Sequence, residues 1–490
     1  MRKSAMIFTT LSILIGSLFL NSTVFISTAN ADIEWSGVYR FEGNAIHNSE
    51  LNDKGRDLSY GLHHLVLRPK IVAGDGITIQ GQFELLNSAA YPNSQMGQVW
   101  GSGVNTGTTP TADNSGPTSN AVSSTQKAEM IEISQLYMTL NQEYGQLILG
   151  RAPLHFGLGM THNAGRGLFD HWYDTRDLVG YKIIVGNLYF LPMIGKVNEG
   201  QLHKTDDMTD FMIQMQYENP ESDIEMGVFY QMRKGGDQSA DAPTPAAASG
   251  GVLGGVGALT DAEIDARTVN VYALKDTERF RLGLEASFQS GETGVRTAGG
   301  EKVTYDAFGV AAEFEYRPEG SKWKYGLKAG TASGDDPTTD AKFEGFIFDR
   351  NYDVGFLMFN HPLGQADFLR TELITGSVRD AGTNAVHTAD TEAISNVVYA
   401  APTVKYAFSD RWSLDNTVVT GYLGTNPIAG RSVSKDLGYE WDISLNFSPR
   451  KGVMWVNQAG LLFPGSAWKG DGLYDSSFSY GFTTKAAISF

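Results

Sequence analysis

Residues 478–490 read FSYGFTTKAAISF. In an extended chain successive side chains point to opposite faces, so Phe478, Tyr480, Phe482, Thr484, Ala486, Ile488 and Phe490 share one face. Ser479, Gly481, Thr483, Lys485, Ala487 and Ser489 share the other. One face is apolar and the other is wet. A half-buried strand of a soluble sandwich alternates in the same way, so what decides the fold is how far the pattern extends.

It extends over most of the chain. Residues 31–41, ADIEWSGVYRF, set Ile33, Trp35, Tyr39 and Phe41 against Glu34, Ser36 and Arg40. Residues 77–85, ITIQGQFEL, set Ile77, Ile79, Phe83 and Leu85 against Thr78, Gln80, Gln82 and Glu84. Residues 279–289 and 437–447, RFRLGLEASFQ and LGYEWDISLNF, repeat the alternation, and no stretch sustains a helical period.

The first residues and the composition say where such strands belong. Arg2 and Lys3 precede an apolar run through Leu20, and Ala29-Asn30-Ala31 forms a small-residue cleavage site, so residues 1–31 read as a cleaved secretory signal and residues 32–490 as one mature domain. The chain has no cysteine, which leaves an exported protein without disulfides. Its formal net charge of −17 becomes more negative once Arg2 and Lys3 are removed, and no basic run interrupts it, which excludes nucleic acid as a partner. Beyond the signal no apolar run is long enough for a transmembrane helix. Yet the chain carries 56 glycines, is 11% aromatic and has a mean hydropathy of −0.21. Barrels that alternate lipid-facing and lumen-facing residues combine these properties.

The connections are of two kinds. Short turns occur at AGDGI, NQEYG, NPESD, KDTER, RPEGSK, FSDRW and SPRKG. Long polar loops are expected at 43–58, 89–127, 154–177, 235–263, 291–302, 335–351, 379–395, 424–433 and 465–477. Short periplasmic turns opposite long external loops define an all-β fold, a transmembrane antiparallel β-barrel of about 18 strands (roughly 16–20). The count depends on whether residues 178–197 form one long strand or a hairpin at Gly186-Asn187. Closure pairs the last strand with the first and leaves no open edge in lipid. A barrel and its loops, with neither a plug nor a passenger, is the expected whole.

Phe490, preceded by Tyr480 and Phe482 on its face, resembles the carboxy-terminal assembly signal of bacterial outer-membrane barrels, which implies the barrel-assembly machinery as a partner. Residues 147–183, LILGRAPLHFGLGMTHNAGRGLFDHWYDTRDLVGYKI, resemble a segment of alginate-export-type porins in which a strand ends in Gly-Arg and an inward loop follows. Gly150, Arg151, Phe156, Gly157, Gly159, Asp174, Arg176 and Gly180 carry that likeness. Residues 343–360, FEGFIFDRNYDVGFLMFN, are similar to a loop-and-strand later in the same family. The resemblance implies a porin, or a substrate-specific polysaccharide or solute channel.

The candidate pore residues follow from position. Loop 154–177 holds His155, His162 and His171 with Arg166, Asp170, Asp174 and Arg176, and is expected to fold inward as a constriction, with Arg151 at its root. Arg151 shares the parity of Leu147 and Leu149, which sets it apart. Wall charges opposite the apolar face include Arg40, Arg68, Arg279, Arg281, Glu440 and Asp442, a mixed lining for a water-filled channel. The histidine spacing matches no metal motif, and no serine stands in an activating motif, so neither a metal, a cofactor nor an enzyme activity is expected. The expected partners are outer-membrane lipid and lipopolysaccharide and small hydrophilic solutes, with a homotrimer as one assembly. An adhesin or purely structural barrel is the competing class.

Overall fold

The computed structural model describes residues 32–53, 55, 57–74, 76–86, 131–198, 208–235, 264–297, 300–339, 341–365 and 393–490. The expected signal, the 89–127 loop, nearly all of 235–263 and residues 379–392 lie outside the described residues.

The chain forms one closed antiparallel barrel of 18 strands. In chain order these begin with β1 (Asp32–His47), β2 (Leu58–Gly74), β3 (Ile77–Leu85), β4 (Ile131–Gln142), β5 (Gly145–Pro153) and β6 (Thr175–Val185). There follow β7 (Leu188–Asn198), β8 (Met208–Asn219), β9 (Ile224–Lys234), β10 (Ile264–Asp276), β11 (Phe280–Arg296), β12 (Lys302–Tyr316) and β13 (Trp323–Ala332). A two-residue strand, β14 (Lys342–Phe343), pairs in parallel with β12 and stands outside the ring. The ring is completed by β15 (Val397–Ala407), β16 (Trp412–Leu423), β17 (Asp436–Arg450), β18 (Val453–Pro464) and β19 (Ser479–Ser489). Residues 178–197 are two strands turning at Gly186-Asn187, and the seven expected short turns all join neighbours at the same end of the barrel.

Closure is made by the C-terminal stretch, residues 478–490. β19 pairs with β1 from Val38↔Ser489 to His47↔Tyr480, and the last residue continues the ladder: Gly37 N–H donates to the Phe490 carbonyl at 2.9 Å and Phe490 N–H to the Gly37 carbonyl at 3.1 Å. The Phe490 ring lies over Gly37, where a Cβ would come within 2.7 Å of it. Deleting Phe490 removes both hydrogen bonds and this contact at the seam. The expected outcome is a lower yield of heat-modifiable barrel, seen by gel mobility before and after boiling; an unchanged yield would count against a closing role.

The alternation sorts the side chains as expected, but inside out relative to a soluble protein. Trp35, Tyr39, Leu284, Phe288, Phe314, Trp441, Tyr480 and Phe482 are exposed on the outer wall. Arg40, Glu42, His64, Glu84, Asp210, Glu285, Glu440 and Asp442 are buried within. An apolar exterior around a charged interior matches hydrocarbon outside and water inside. No helix among the described residues is long and apolar enough to cross a membrane.

One expectation fails. Among the described residues the chain does not return to a wall strand directly after residue 351: residues 344–365 are irregular and fold into the lumen, with Phe346, Phe356, Leu357 and Met358 at 1% exposure or less. The reason lies in its own pattern. Phe346-Ile347-Phe348 and Phe356-Leu357-Met358-Phe359 are contiguous apolar runs, which as a wall strand would place large apolar groups on the lumen face as well as the lipid face. They pack instead on small lumen-facing wall residues, Ala307, Ala311 and Ala401 among them. A Cβ on Gly309 would sit 2.4 Å from the Phe346 ring, and one on Gly481 would sit 2.7 Å from the Phe356 ring.

Candidate functional site: a lumen crossed by two segments

The 154–177 loop folds inward, along a path set by its apolar residues. Leu154 and Phe156 are buried against Leu178, Met212, Phe229 and Tyr272 of β6, β8, β9 and β10. Farther along, Met160 joins the apolar cluster of the 344–365 segment. The loop then crosses the lumen to the opposite wall. There the Leu168 carbonyl accepts from Arg40 at 3.3 Å, and His171 Nε2 meets Glu42 at 2.9 Å.

Each inward segment is fastened by carboxylates on the wall. Glu285 of β11 accepts from Leu158 N–H at 2.6 Å, Met160 N–H at 3.3 Å and Thr161 Oγ1 at 3.2 Å. Glu440 of β17 accepts from Leu357 and Met358 N–H, both at 2.6 Å, and Asp442 accepts from Phe356 N–H at 2.9 Å. Irregular backbone inside a barrel has lost its water, and these acceptors satisfy donors that would otherwise stand unpaired.

The two segments also hold each other. Asp349 N–H donates to the Met160 carbonyl at 2.7 Å, and the Asn351 side chain accepts from His171 and Trp172 N–H while donating to the Trp172 carbonyl at 2.8 Å. Arg350 lies over the Trp172 ring at 4.4 Å. A bridge therefore spans the lumen between opposite walls.

Against this geometry the expected pore residues divide. Asp170 and Asp174 lie on the crossing loop and stabilise it, accepting Gly167 N–H at 2.7 Å and Asn163 N–H at 3.0 Å. Arg166 is exposed within the lumen near Tyr137, His155 and Tyr189 and has no hydrogen bond or ion pair among the described residues. Arg176 donates to Asp210 at 2.9 Å. Arg40 is 2% exposed and contacts His64 and His171, while Arg68 donates to Gln82 at 2.7 Å. Arg281 lines the short-turn half of the lumen, bonded to Glu313 at 2.7 Å.

Four positions correct the sequence reading. Arg151, expected at the constriction, instead points outward on the face it shares with Leu149 and makes a two-pronged pair with Asp177 at 2.8 and 2.9 Å. Arg279 precedes β11 in a short turn, where it pairs with Glu319. Glu440 and Asp442 do face inward, but at 0% and 3% exposure they lie beneath the second segment and line no channel.

The three histidines are separate. His155 accepts from Ala164 N–H at 3.4 Å, His162 packs on Phe229, and His171 joins Glu42. Among the described residues no group of His, Asp and Glu is arranged to hold a metal ion. Burial pushes His162 and His361 down to about 4 and keeps both neutral at neutral pH.

Sequence reasoning missed Asp353. Its side chain is open to the lumen although protein surrounds it, with Lys485, Lys328, Asp170 and Glu42 in its field. Burial pushes it up to about 6 against the pull of both lysines. A carboxyl group with that value is neutral below about pH 6 and negative above it. Cation preference, read as the reversal potential in a salt gradient, is therefore expected to fall as pH is lowered from 8 to 5. Asp353→Asn is expected to flatten this dependence; an unaltered pH profile in the variant would remove Asp353 from the ion path.

No family model and no curated protein matches the sequence. Solved structures similar along nearly the whole chain include OccK2 (OpdF) of Pseudomonas aeruginosa, at 12% identity and a TM-score of 0.49 over 94% of this chain and 98% of that one. A BenF-like porin from Pseudomonas fluorescens Pf-5 has 9% identity and a TM-score of 0.48, covering 94% and 99%. An anion-selective porin from Comamonas acidovorans has 9% identity and a TM-score of 0.43, covering 94% and 100%. Likenesses this distant leave the function of the chain to its own geometry.

Proposed function

We propose that the protein is an outer-membrane porin, a passive water-filled channel for small hydrophilic solutes and ions, and not an enzyme. The observation that carries this reading is the pairing of a closed, apolar-walled barrel with a charged lumen crossed by two fastened segments. A structural barrel or an adhesin has no need of wall carboxylates that hold loops at mid-lumen. The polysaccharide-export variant of the reading fits less well, because the Asp349–Met160 and Asn351–Trp172 contacts bridge the space that a polymer would need.

The proposal extends to lipid and lipopolysaccharide around the wall, to assembly machinery acting on the strand that ends in Phe490, and to a homotrimer as the form in the membrane. Purified, folded protein in a planar bilayer is expected to give discrete single-channel currents with a measurable reversal potential. Folded protein that passes no ions would overturn the channel and favour the adhesin class.

A further inference from the structure

The outer wall carries a row of charge that the lumen does not explain. Residues paired directly across a sheet share a face, and the outward Arg151 begins such a row at the long-loop end of the barrel. It runs Arg151↔Asp177↔Lys196↔Thr209↔Lys234↔Asp265, one residue from each of β5 to β10. Every position in it is polar. The next outward positions toward the short turns are Leu149, Val179, Ile194, Phe211 and Met232, all apolar, until Arg267 takes the place beside Met232 on β10. Arg267 shares its face with exposed Val269 and Val271. The step between the two rows therefore marks where the apolar wall ends and the headgroup layer begins.

The row is confined to one side of the barrel. At the same end of β16 to β19 the outward residues include Tyr422, Tyr439, Phe463 and Tyr480, all exposed aromatics, with no lysine or arginine among the outward positions there.

Within the row, positive charge gathers around Thr209. Lys196 and Lys234 flank it on β7 and β9, two strands apart and so about 10 Å from each other. Arg151 is matched by an acid of its own, Asp177, and Glu292, the acid next to Asp265 across the sheet, is taken by Lys302. Lys234 and Arg267 instead share Asp265, each at 3.5 Å and each with about half of its side chain exposed. Two cations on one carboxylate leave positive charge in surplus, on a chain whose formal net charge is −17.

We infer that Lys196, Lys234 and Arg267, with the Thr209 hydroxyl between the lysines, form a binding site for the phosphorylated headgroup of lipopolysaccharide. Ammonium and guanidinium groups are the side chains that hold phosphate. The apolar Ile194, Phe211 and Met232 directly beneath suit the acyl chains of the same molecule, which a soluble anion would leave unused. The long-loop end of the wall meets the external leaflet, where this lipid resides. The inference deepens the outer-membrane reading by giving its lipid partner a place on the wall; it rests on that reading and not on conduction.

Binding can be tested without transport. Titration of folded, detergent-solubilised protein with bisphosphorylated lipid A is expected to show saturable binding, weaker for the dephosphorylated lipid, with inorganic phosphate a poor competitor. Lys234→Gln combined with Arg267→Gln is expected to weaken lipid A by about tenfold or more, with heat-modifiable mobility unchanged. Lys322→Gln, in the short turn before β13 at the other end of the barrel, is expected to bind as wild type does. A wild-type constant in the double variant, or equal affinity for the two lipids, would overturn the site. So would full competition by inorganic phosphate, which would make it a free-anion site. Self-association abolished by the double variant, with no lipid bound, would give the row to a second copy of the chain and overturn the site as well. Lipid binding by a barrel that passes no ions would keep the site and sink the channel; current without lipid binding would do the reverse.

Discussion

Glu440→Gln is expected to leave the barrel folded while raising its mean single-channel conductance and its open-channel noise. Glu440 Oε1 and Oε2 each accept one backbone N–H, from Leu357 and Met358. A glutamine has one carbonyl oxygen and one amide nitrogen in their place, so whichever way it flips, one of those N–H groups faces another donor. Hydrogen bonds to charged groups contribute roughly 1.5–3 kcal/mol each, and losing one shifts the segment between fastened and released states by about tenfold or more. Replacing both Glu440 and Asp442 by alanine removes all three acceptors, and the increase is expected to be larger still. Nothing outside the lumen changes, so heat-modifiable mobility on gels serves as the folding control. Single-channel records of Glu440→Gln indistinguishable from wild type would show that the second segment is held in place without this carboxylate.

The frame of the fold was legible because a barrel wall repeats one physical rule. Residues 478–490 alternate in burial as their sequence alternates in polarity, and turns such as NPESD and SPRKG fall between paired strands. The first inward loop was legible from its charges, glycines and position after Gly150-Arg151. The second was not, because runs such as FLMF read equally well as a buried strand.

A signal for it did exist, on the wall instead of the loop. Ala307, Gly309 and Ala311 of β12, Gly460 of β18 and Gly481 of β19 occupy lumen-facing positions where a water-filled pore would carry polar side chains. A wall that is small and apolar on its inner face implies something apolar lying on it. The same lack of context misplaced Glu440 and Asp442: parity tells that a carboxylate points inward, but only the path of another segment tells whether it meets water or backbone.

Leu284→Arg is expected to destabilise the barrel in lipid vesicles by roughly 2–4 kcal/mol, the range for an arginine on the lipid face near the bilayer midplane. Leu284 lies on the outer wall of β11 at 46% exposure, paired across the sheet with Ala273 and Ala312, with no outward acidic partner among these neighbours. An arginine there carries its charge into acyl chains. Ser444 of β17 provides the contrast, since its neighbour across the sheet is Asp415 on the inner face, already within 3.9 Å of Lys405. An arginine at 444 meets lumen water and an acid, so its expected cost is small, under about 1 kcal/mol. The comparison isolates the side of the wall, because both substitutions place the same group in a regular strand of the same barrel. Urea unfolding of the two variants in vesicles measures it, and equal destabilisation would mean that the inside and outside of these strands have been exchanged.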